Sequence, residues 1–224
     1  SVLAAVKIFY TPYASNALPI FDGTYWVLSS LTELEMSLDA SVHTSATNFD
    51  VFAVNDGGTR RIGTASAWAT ASTRAISIQR LNGIYTNMST TDIRYGSATV
   101  SAVSANKATY FGTFRTTAAP GQTEVSLSAL YLANIYNQVP IGLNNHFTAD
   151  RAVTSTAYLE INSEIRINFL MLGSYAIGVS QAGELDNNVG DRVFTSFAFD
   201  STSTVEDIYG SAQSGLGLGI ICGL

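Results

Sequence analysis

Two histidines are the side chains on which a nucleophilic or general-base mechanism would depend. His43 is followed by Thr44, and His146 is followed by Phe147. A Ser–His–Asp triad needs one histidine, one aspartate and one nucleophile that meet in space. Ser, Thr and Asp are so frequent in this chain that the sequence selects no such set, and the G-x-S-x-G nucleophile elbow is absent. We therefore expect both histidines to be surface or loop residues, and we name no catalytic residue.

Acidic residues in the second half of the chain form the best local candidate for a metal site. Glu184, Asp186 and Asp191, with Asn187 and Asn188 between them, supply several oxygen atoms from one short segment. Calcium takes oxygen ligands from such loops, but a solvated polar turn is the alternative that we favour. Two other acidic pairs are close in sequence: Glu33 with Glu35, and Glu206 with Asp207. No EF-hand loop or zinc-type His/Cys spacing is present, so we expect no metal.

The sequence contains no clear motif for sugar hydrolysis or for phosphate binding either. A glycosidase needs two carboxylates about 5–10 Å apart, and the 17 acidic residues offer many pairs without selecting one. The segment Gly215–Gly219 is glycine-rich but contains no lysine. Trp26 lies in an apolar run and is expected in the core, whereas Trp68, among Ala and Thr, is the better candidate for stacking on a sugar. We expect no enzymatic activity and no cofactor.

The chain is sparsely charged. Only 12% of its 224 residues are charged, and its formal net charge is −6, whereas about a quarter of residues are charged in an average domain. Lys7 and Lys107 are its only lysines, so it lacks the basic surface that a nucleic acid requires. Its apolar runs are shorter than the about 20 residues of a transmembrane helix, so we expect no membrane span. The single Cys222 excludes a disulfide framework.

Turn residues separate short β-type segments along the chain. A hairpin is predicted between Asn48–Val54 and Thr59–Gly63, because the Asn, Asp and Gly residues between them tolerate positive φ. A second hairpin is predicted around Asn82-Gly83, which is the signature of a type I′ turn. Turn signals of this kind recur along the chain, which indicates short strands joined by tight connections.

Four segments are harder to assign. Ser30–Leu38 is compatible with a helix, in which Ser30 caps the N-terminus and Glu33 completes a capping box, and equally with a strand. Leu130–Val139 is likewise compatible with a helix or a strand. Ile161–Leu172 is predicted to be a strand that is buried on both faces at one end. The Ser/Thr/Ala segment Ser97–Asn106 is predicted to be a long loop.

The recurring turns and the lack of long helical patterns predict an all-β protein. The expected architecture is an antiparallel β-sandwich or jelly-roll-like fold with few short helices. No repeat, charge block or linker divides the sequence, so we expect a single domain over residues 1–224. Residues 1–16 and 212–224 are apolar ends that we expect to act as docking or interface arms.

Several segments, taken in order, resemble a group of virion proteins of tailed bacteriophages. The segments are Ala17–Thr24, Asn48–Phe52, Trp68–Arg74, Leu81–Ile84, Ala108–Thr117 and Asn134–Val139. The most specific of them contains the sequence Tyr110-Phe111-Gly112-Thr113-Phe114-Arg115-Thr116. The resemblance covers roughly residues 17–200 and implies β-rich modules on the particle surface, free-standing or at the ends of tail fibres. It implies structural motifs and no catalytic residues.

The resemblance and the low charge together lead to one expected function. We expect a non-enzymatic, oligomeric virion protein, a homotrimer by the usual symmetry of such proteins, which decorates or cements the capsid. Its partners would be copies of itself and the major capsid protein or tail proteins. We expect a complete small protein, because coiled-coil heptads and a fibrous stalk are absent. The alternative is a tail fibre or spike head domain that binds a host-surface glycan.

Overall fold

The computed structural model describes residues 1–13, 15–149, 163–170 and 172, together with the backbone of the strands named below between residues 178 and 223. The chain divides into two compact units. The first unit contains Ser1–Asn145 and Ile167–Leu172, and the second contains His146–Arg166 and Gly173–Leu224.

The first unit contains sixteen short strands. These are β1 (Val2–Ala5), β2 (Lys7–Tyr10), β3 (Ala17–Phe21), β4 (Trp26–Ser30), β5 (Leu34–Ser37), β6 (Asn48–Asp56), β7 (Thr59–Thr64), β8 (Ile78–Leu81), β9 (Ile84–Asn87), β10 (Thr91–Tyr95), β11 (Ala98–Val103), β12 (Ala108–Arg115), β13 (Thr123–Val125), β14 (Ala129–Leu130), β15 (Leu132–Asn134) and β16 (Asn168–Phe169). Among the described pairings, every ladder is antiparallel except the one between β14 and β16.

The second unit contains a 3₁₀ turn at Ser163–Ile165 and six described strands. These are β17 (Gly178–Glu184), β18 (Val193–Phe194), β19 (Phe197–Ala198), β20 (Val205–Glu206), β21 (Ser211–Ala212) and β22 (Gly217–Gly223). They form three antiparallel pairs, β17 with β22, β18 with β21 and β19 with β20.

The largest sheet of the first unit has the strand order β11-β10-β7-β6-β12-β9-β8, and β15 also pairs with β12. Both faces of its central strands β6 and β12 are buried. On one face, Phe49 and Phe114 pack with residues of β2, β3 and β5; on the other, Phe52 and Tyr110 pack with Ile93. This burial on two faces explains the near-continuous apolar runs of the two central strands.

The two predicted hairpins are present, and their turns have the expected backbone. Gly57 and Gly58 join β6 to β7 with φ of 55° and 101°. Asn82 and Gly83 join β8 to β9 with φ of 48° and 95°. Both loops have positive φ at both central residues, as a type I′ turn requires.

The structure decides the segments that the sequence left open and corrects two others. Ser30–Leu38 contains the end of β4 and all of β5, so it is not a helix. Leu130–Val139 contributes strand β15. Ser97–Asn106 is not a loop, because β11 pairs with β10 at the edge of the large sheet. In Ile161–Leu172 the described residues form a 3₁₀ turn and the two-residue strand β16 in place of one long strand.

The predicted fold class is confirmed. The described chain is almost entirely β-structure, with antiparallel sheets that pack in a sandwich-like manner and no α-helix among the described residues. The chain divides into two compact units, and the single domain over residues 1–224 stays a prediction.

Candidate functional site

A buried carboxylate lies at the centre of a cluster of hydrogen-bonded polar side chains. Asp50 is 1% exposed and accepts hydrogen bonds from the Thr113 hydroxyl at 2.6 Å and from the Arg74 guanidinium. Arg74 also donates to the Tyr110 hydroxyl at 3.2 Å, and the Tyr110 and Thr113 hydroxyl oxygens are 2.8 Å apart. Because Thr113 donates to the carboxylate, the Tyr110 O–H must donate to Thr113. The four side chains therefore close a ring of hydrogen bonds, which we call the Asp50 ring.

A β-bulge positions two members of the Asp50 ring. The pairing of β12 with β6 shifts between Tyr110 and Gly112, so that Phe111 is the extra residue. In a regular strand, residues three apart point to opposite faces. The bulge instead brings Tyr110 and Thr113 to the same face. Gly112 is required there, because a Cβ at this position would lie 1.9 Å from the carbonyl oxygen of Ala133 on β15.

The electrostatics of the Asp50 ring favour a structural role. Burial raises the pKa of Asp50 above its ordinary value, while Arg74, Thr113 and the nearby Trp68 indole oppose this increase. Arg74 lies over the Trp68 ring, 4.6 Å from its centroid, and over Tyr110 at 5.1 Å. Each of the four side chains is hydrogen-bonded to two other members, so the cluster fixes the loop that carries Trp68 and Arg74 against the sheet.

His43 lies in a loop, as predicted, but its side chain is in the core and not on the surface. It lies in a turn but is 0% exposed, packed between the rings of Phe49 and Phe114. Its Nδ1 accepts the backbone N–H of Asp39 at 3.0 Å, and its Nε2 lies 3.0 Å from the Thr64 hydroxyl oxygen. Burial lowers the pKa of His43, so the neutral ring with a proton on Nε2 fits both contacts. The second histidine, His146, is exposed as predicted.

The predicted acidic pairs do not form a metal site among the described residues. Glu33 accepts a hydrogen bond from the Thr11 hydroxyl at 2.5 Å, whereas Glu35 pairs with Lys7 at 3.0 Å. Within the described part of the chain, no group of three or more His, Cys, Asp or Glu side chains is placed to hold a metal ion. In the acidic segment considered as a calcium candidate, Asp186 and Asp191 lie outside the described residues, as does Asp207 of the other acidic pair.

The two tryptophans are half-buried. Trp26 packs against Phe21 with ring centroids 5.4 Å apart, and its indole N–H is buried without a described acceptor. One face of Trp68 is covered by Arg74, and its indole N–H makes no hydrogen bond of ordinary geometry although it faces Asp50. The cation above Trp68 occupies the surface on which a sugar ring would stack. Trp68 is therefore a weaker sugar platform than the sequence suggested.

The N-terminal segment presents apolar side chains to solvent. Leu3 is 65% exposed, Val6 53% and Phe9 50%, while Ile8 of the same segment is buried in the core against β5. Strand β1 lies at the edge of the four-stranded sheet β1-β13-β14-β16. In the C-terminal segment, β22 pairs along its whole length with β17. The N-terminal arm therefore combines a sheet edge with exposed apolar residues.

Sequence inspection missed a cleft of about 350 Å³ in the first unit. Its walls are the β3–β4 hairpin, the β6–β7 hairpin and β11 with the turn that follows it. Arg60, Lys107 and Asp22 are the charged residues that line it. These residues are far apart in sequence and belong to no motif, so only the folded chain shows that they meet.

The comparisons with known proteins give no relative: no protein-family model, curated protein or solved structure matches this chain. The described part contains no helix that is long and apolar enough to cross a membrane.

Proposed function

We propose that the chain is a non-enzymatic structural protein of a bacteriophage particle, which self-associates as a homotrimer and decorates or cements the capsid surface. The observation that supports this proposal is the N-terminal arm with its exposed apolar side chains. The buried polar side chains of the Asp50 ring, in turn, contact one another and stabilise the sheet. The phage-like segments Asn48–Phe52, Trp68–Arg74 and Ala108–Thr117 supply all four members of the Asp50 ring. A rigid scaffold of this kind would suit a structural protein of a particle.

The arm offers the kind of surface that another protein chain would cover. Exposed apolar side chains on a sheet edge favour association, because the edge has unpaired backbone groups and the side chains gain from leaving water. Low overall charge fits this use, since the centres of protein interfaces are depleted of charged residues. The occupant in this proposal is a second copy of the chain or the capsid surface.

The location of the protein on the intact particle tests the proposal directly. Electron microscopy of purified particles should show density for the protein over the shell at a copy number in the hundreds, as a shell protein requires. A copy number of a few to a few dozen, at the tail, would exclude decoration and support the alternative. Absence from the particle would exclude both.

A surface variant tests the arm without unfolding the core. The triple variant Leu3→Ser, Val6→Ser and Phe9→Ser changes exposed residues only, whereas deletion of the whole arm would also remove buried Ile8. We expect reduced occupancy on particles that lack the native protein, and a shift toward monomer in sedimentation. The matched control changes three other exposed apolar residues to serine: Tyr25, Leu28 and Met88. Equal occupancy of both variants and the native protein would refute docking through the arm.

The second candidate function is a tail fibre or spike head domain that binds a host-surface glycan. The cleft beside the β3–β4 hairpin favours it, because a concave site with apolar walls and a few convergent polar groups is typical of small-ligand binding. A glycan array with purified protein separates this candidate from decoration. Failure to bind any glycan would count against it.

A further inference from the structure

The cleft carries two cations, Arg60 and Lys107, and neither of them forms a described salt bridge. Arg60 donates to the Ser29 hydroxyl at 2.6 Å and to the Gly58 carbonyl at 3.3 Å, but its Nε–H is buried without an acceptor among the described residues. A buried donor without an acceptor is costly, so the hydrogen-bonding capacity of the Arg60 guanidinium is incompletely satisfied among the described residues.

The one acidic residue in the cleft is already engaged. Asp22 accepts the backbone N–H groups of Thr24 and Tyr25 at 2.7 and 2.8 Å. These hydrogen bonds, and then the charge of Lys107, hold its pKa below the ordinary value, so Asp22 is charged at neutral pH. The Lys107 side chain lies over the same turn, about 3.5 Å from where a Cβ on Gly23 would be. With two cations and one anion, the cleft has a net positive charge in a chain whose net charge is −6.

The opposite wall of the cleft has an unusual backbone. Ala102 on β11 has a φ of 52°, in the left-handed region that non-glycine residues seldom adopt. The β10–β11 register shifts at this place, and the Asp92 carboxylate holds the bulge by accepting the Ala102 N–H at 2.8 Å. Bulges of this kind redirect side chains and are over-represented beside functional sites.

The remaining lining suits a ring with both apolar and hydroxylated faces. Ile20, Val27 and Val100 supply apolar surface, and Asn55 and Ser101 supply polar groups. The Oδ1 atom of Asn55 accepts the Gly58 N–H at 2.8 Å, which leaves its Nδ2 group as a donor. The volume of about 350 Å³ lies at the small end of the range for ligand pockets.

We propose that this cleft binds an acidic monosaccharide unit, with Arg60 and Lys107 holding its carboxylate and the apolar wall contacting its ring. The carboxylate would accept hydrogen bonds from the Arg60 guanidinium and the Lys107 ammonium, and it would supply a second negative charge beside Asp22. This inference rests on the glycan binding of the second candidate function and names its ligand class. It does not depend on where on a particle the protein is located.

Titration of the purified full chain, followed by nuclear magnetic resonance, tests the assignment. The probes are N-acetylneuraminic acid and galacturonic acid, which represent two sources of acidic sugars, and neutral galactose and acetate as comparisons. We expect at least one acidic sugar to bind about tenfold more tightly than galactose or acetate. This binding should weaken as salt is added, because salt screens the charges. No binding of either acidic sugar at about 10 mM, or equal binding of acetate, would overturn the proposal.

Two variants and one control locate the binding. Arg60→Gln and Lys107→Gln should each weaken binding of the acidic sugar by about tenfold or more, because each removes a charge-assisted contact. Arg80→Gln is the matched control, since Arg80 is exposed, lies outside the cleft lining and donates to the Gly83 carbonyl of its own turn. Lys107→Gln also guards against a folding artefact, because no described salt bridge would be lost with Lys107. Unchanged binding by both cleft variants, or equal losses in Arg80→Gln, would overturn the assignment. Neither result would bear on the electron-microscopy test of the decoration function.

Discussion

Replacing Thr113 with valine tests whether the Asp50 ring stabilises the fold. Thr113 is 0% exposed, donates to the Asp50 carboxylate and accepts from Tyr110. Valine has nearly the same shape, so the change removes one hydroxyl group and little packing. A hydrogen bond to a charged group contributes about 1.5–3 kcal/mol, and a buried hydroxyl left without its partner costs about 1–3 kcal/mol. Since Arg74 still contacts both other members of the ring, we expect a loss near the lower end of the summed range of about 2.5–6 kcal/mol, about 3 kcal/mol.

The assay is urea unfolding followed by tryptophan fluorescence, because Trp68 packs on Arg74 of the same ring. The control is Thr99→Val on the exposed edge strand β11, where we expect a change of at most about 0.5 kcal/mol. A double-mutant cycle with Tyr110→Phe should show coupling between the two hydroxyl groups. A loss in Thr113→Val no larger than that in Thr99→Val would refute the stabilising role of the ring.

The pH dependence of this loss gives an independent check. Burial raises the pKa of Asp50, so the folded protein holds this proton more tightly than the unfolded chain. The contribution of the carboxyl group to stability is therefore complete at low pH and is lost as the pH rises through its folded-state pKa. Thr113→Val raises that pKa further, because it removes a hydrogen bond to the charged form. The difference between variant and native protein should accordingly be larger at pH 7 than at pH 4.

Three other changes have defined outcomes. Gly112→Ala should destabilise the protein by more than about 3 kcal/mol in urea unfolding, because the new Cβ would meet the backbone of β15. The control is Gly142→Ala, which should change the stability little, because nothing lies within 4 Å of a Cβ at that position. The free energy of unfolding should fall as the pH drops below 6.5, because burial lowers the pKa of His43 and the unfolded chain binds that proton more readily. His43→Gln should weaken this pH dependence. An unchanged pH profile in the variant would contradict the assignment of the effect to His43. Gly83→Ala should cost about 1–2 kcal/mol in thermal unfolding, because φ at this turn is 95°.

Local chemistry was sufficient for the hairpins and for the fold class. Asn82-Gly83 and Gly57-Gly58 specify their turns because few other residues adopt positive φ without strain, so the sequence alone locates them. Short β-type segments between such turns were enough to predict an antiparallel all-β protein. Ser97–Asn106 was misassigned because an edge strand of small polar residues lacks alternation, and its pairing with β10 is a tertiary contact.

Tertiary structure decided the position of every polar group that matters here. Asp50 and Thr113 are 63 residues apart and meet only through the pairing of β6 with β12, and a bulge that no periodicity predicts turns Thr113 to the same face as Tyr110. Arg60 and Lys107 line one cleft for the same reason, since distant strands bring them together. The sequence by itself determined the local turns and the strand content, because these depend on neighbouring residues, and the low charge, because it depends on composition alone. Burial, hydrogen-bond partners and the cleft depend on which strands pair, and the folded chain alone settles that.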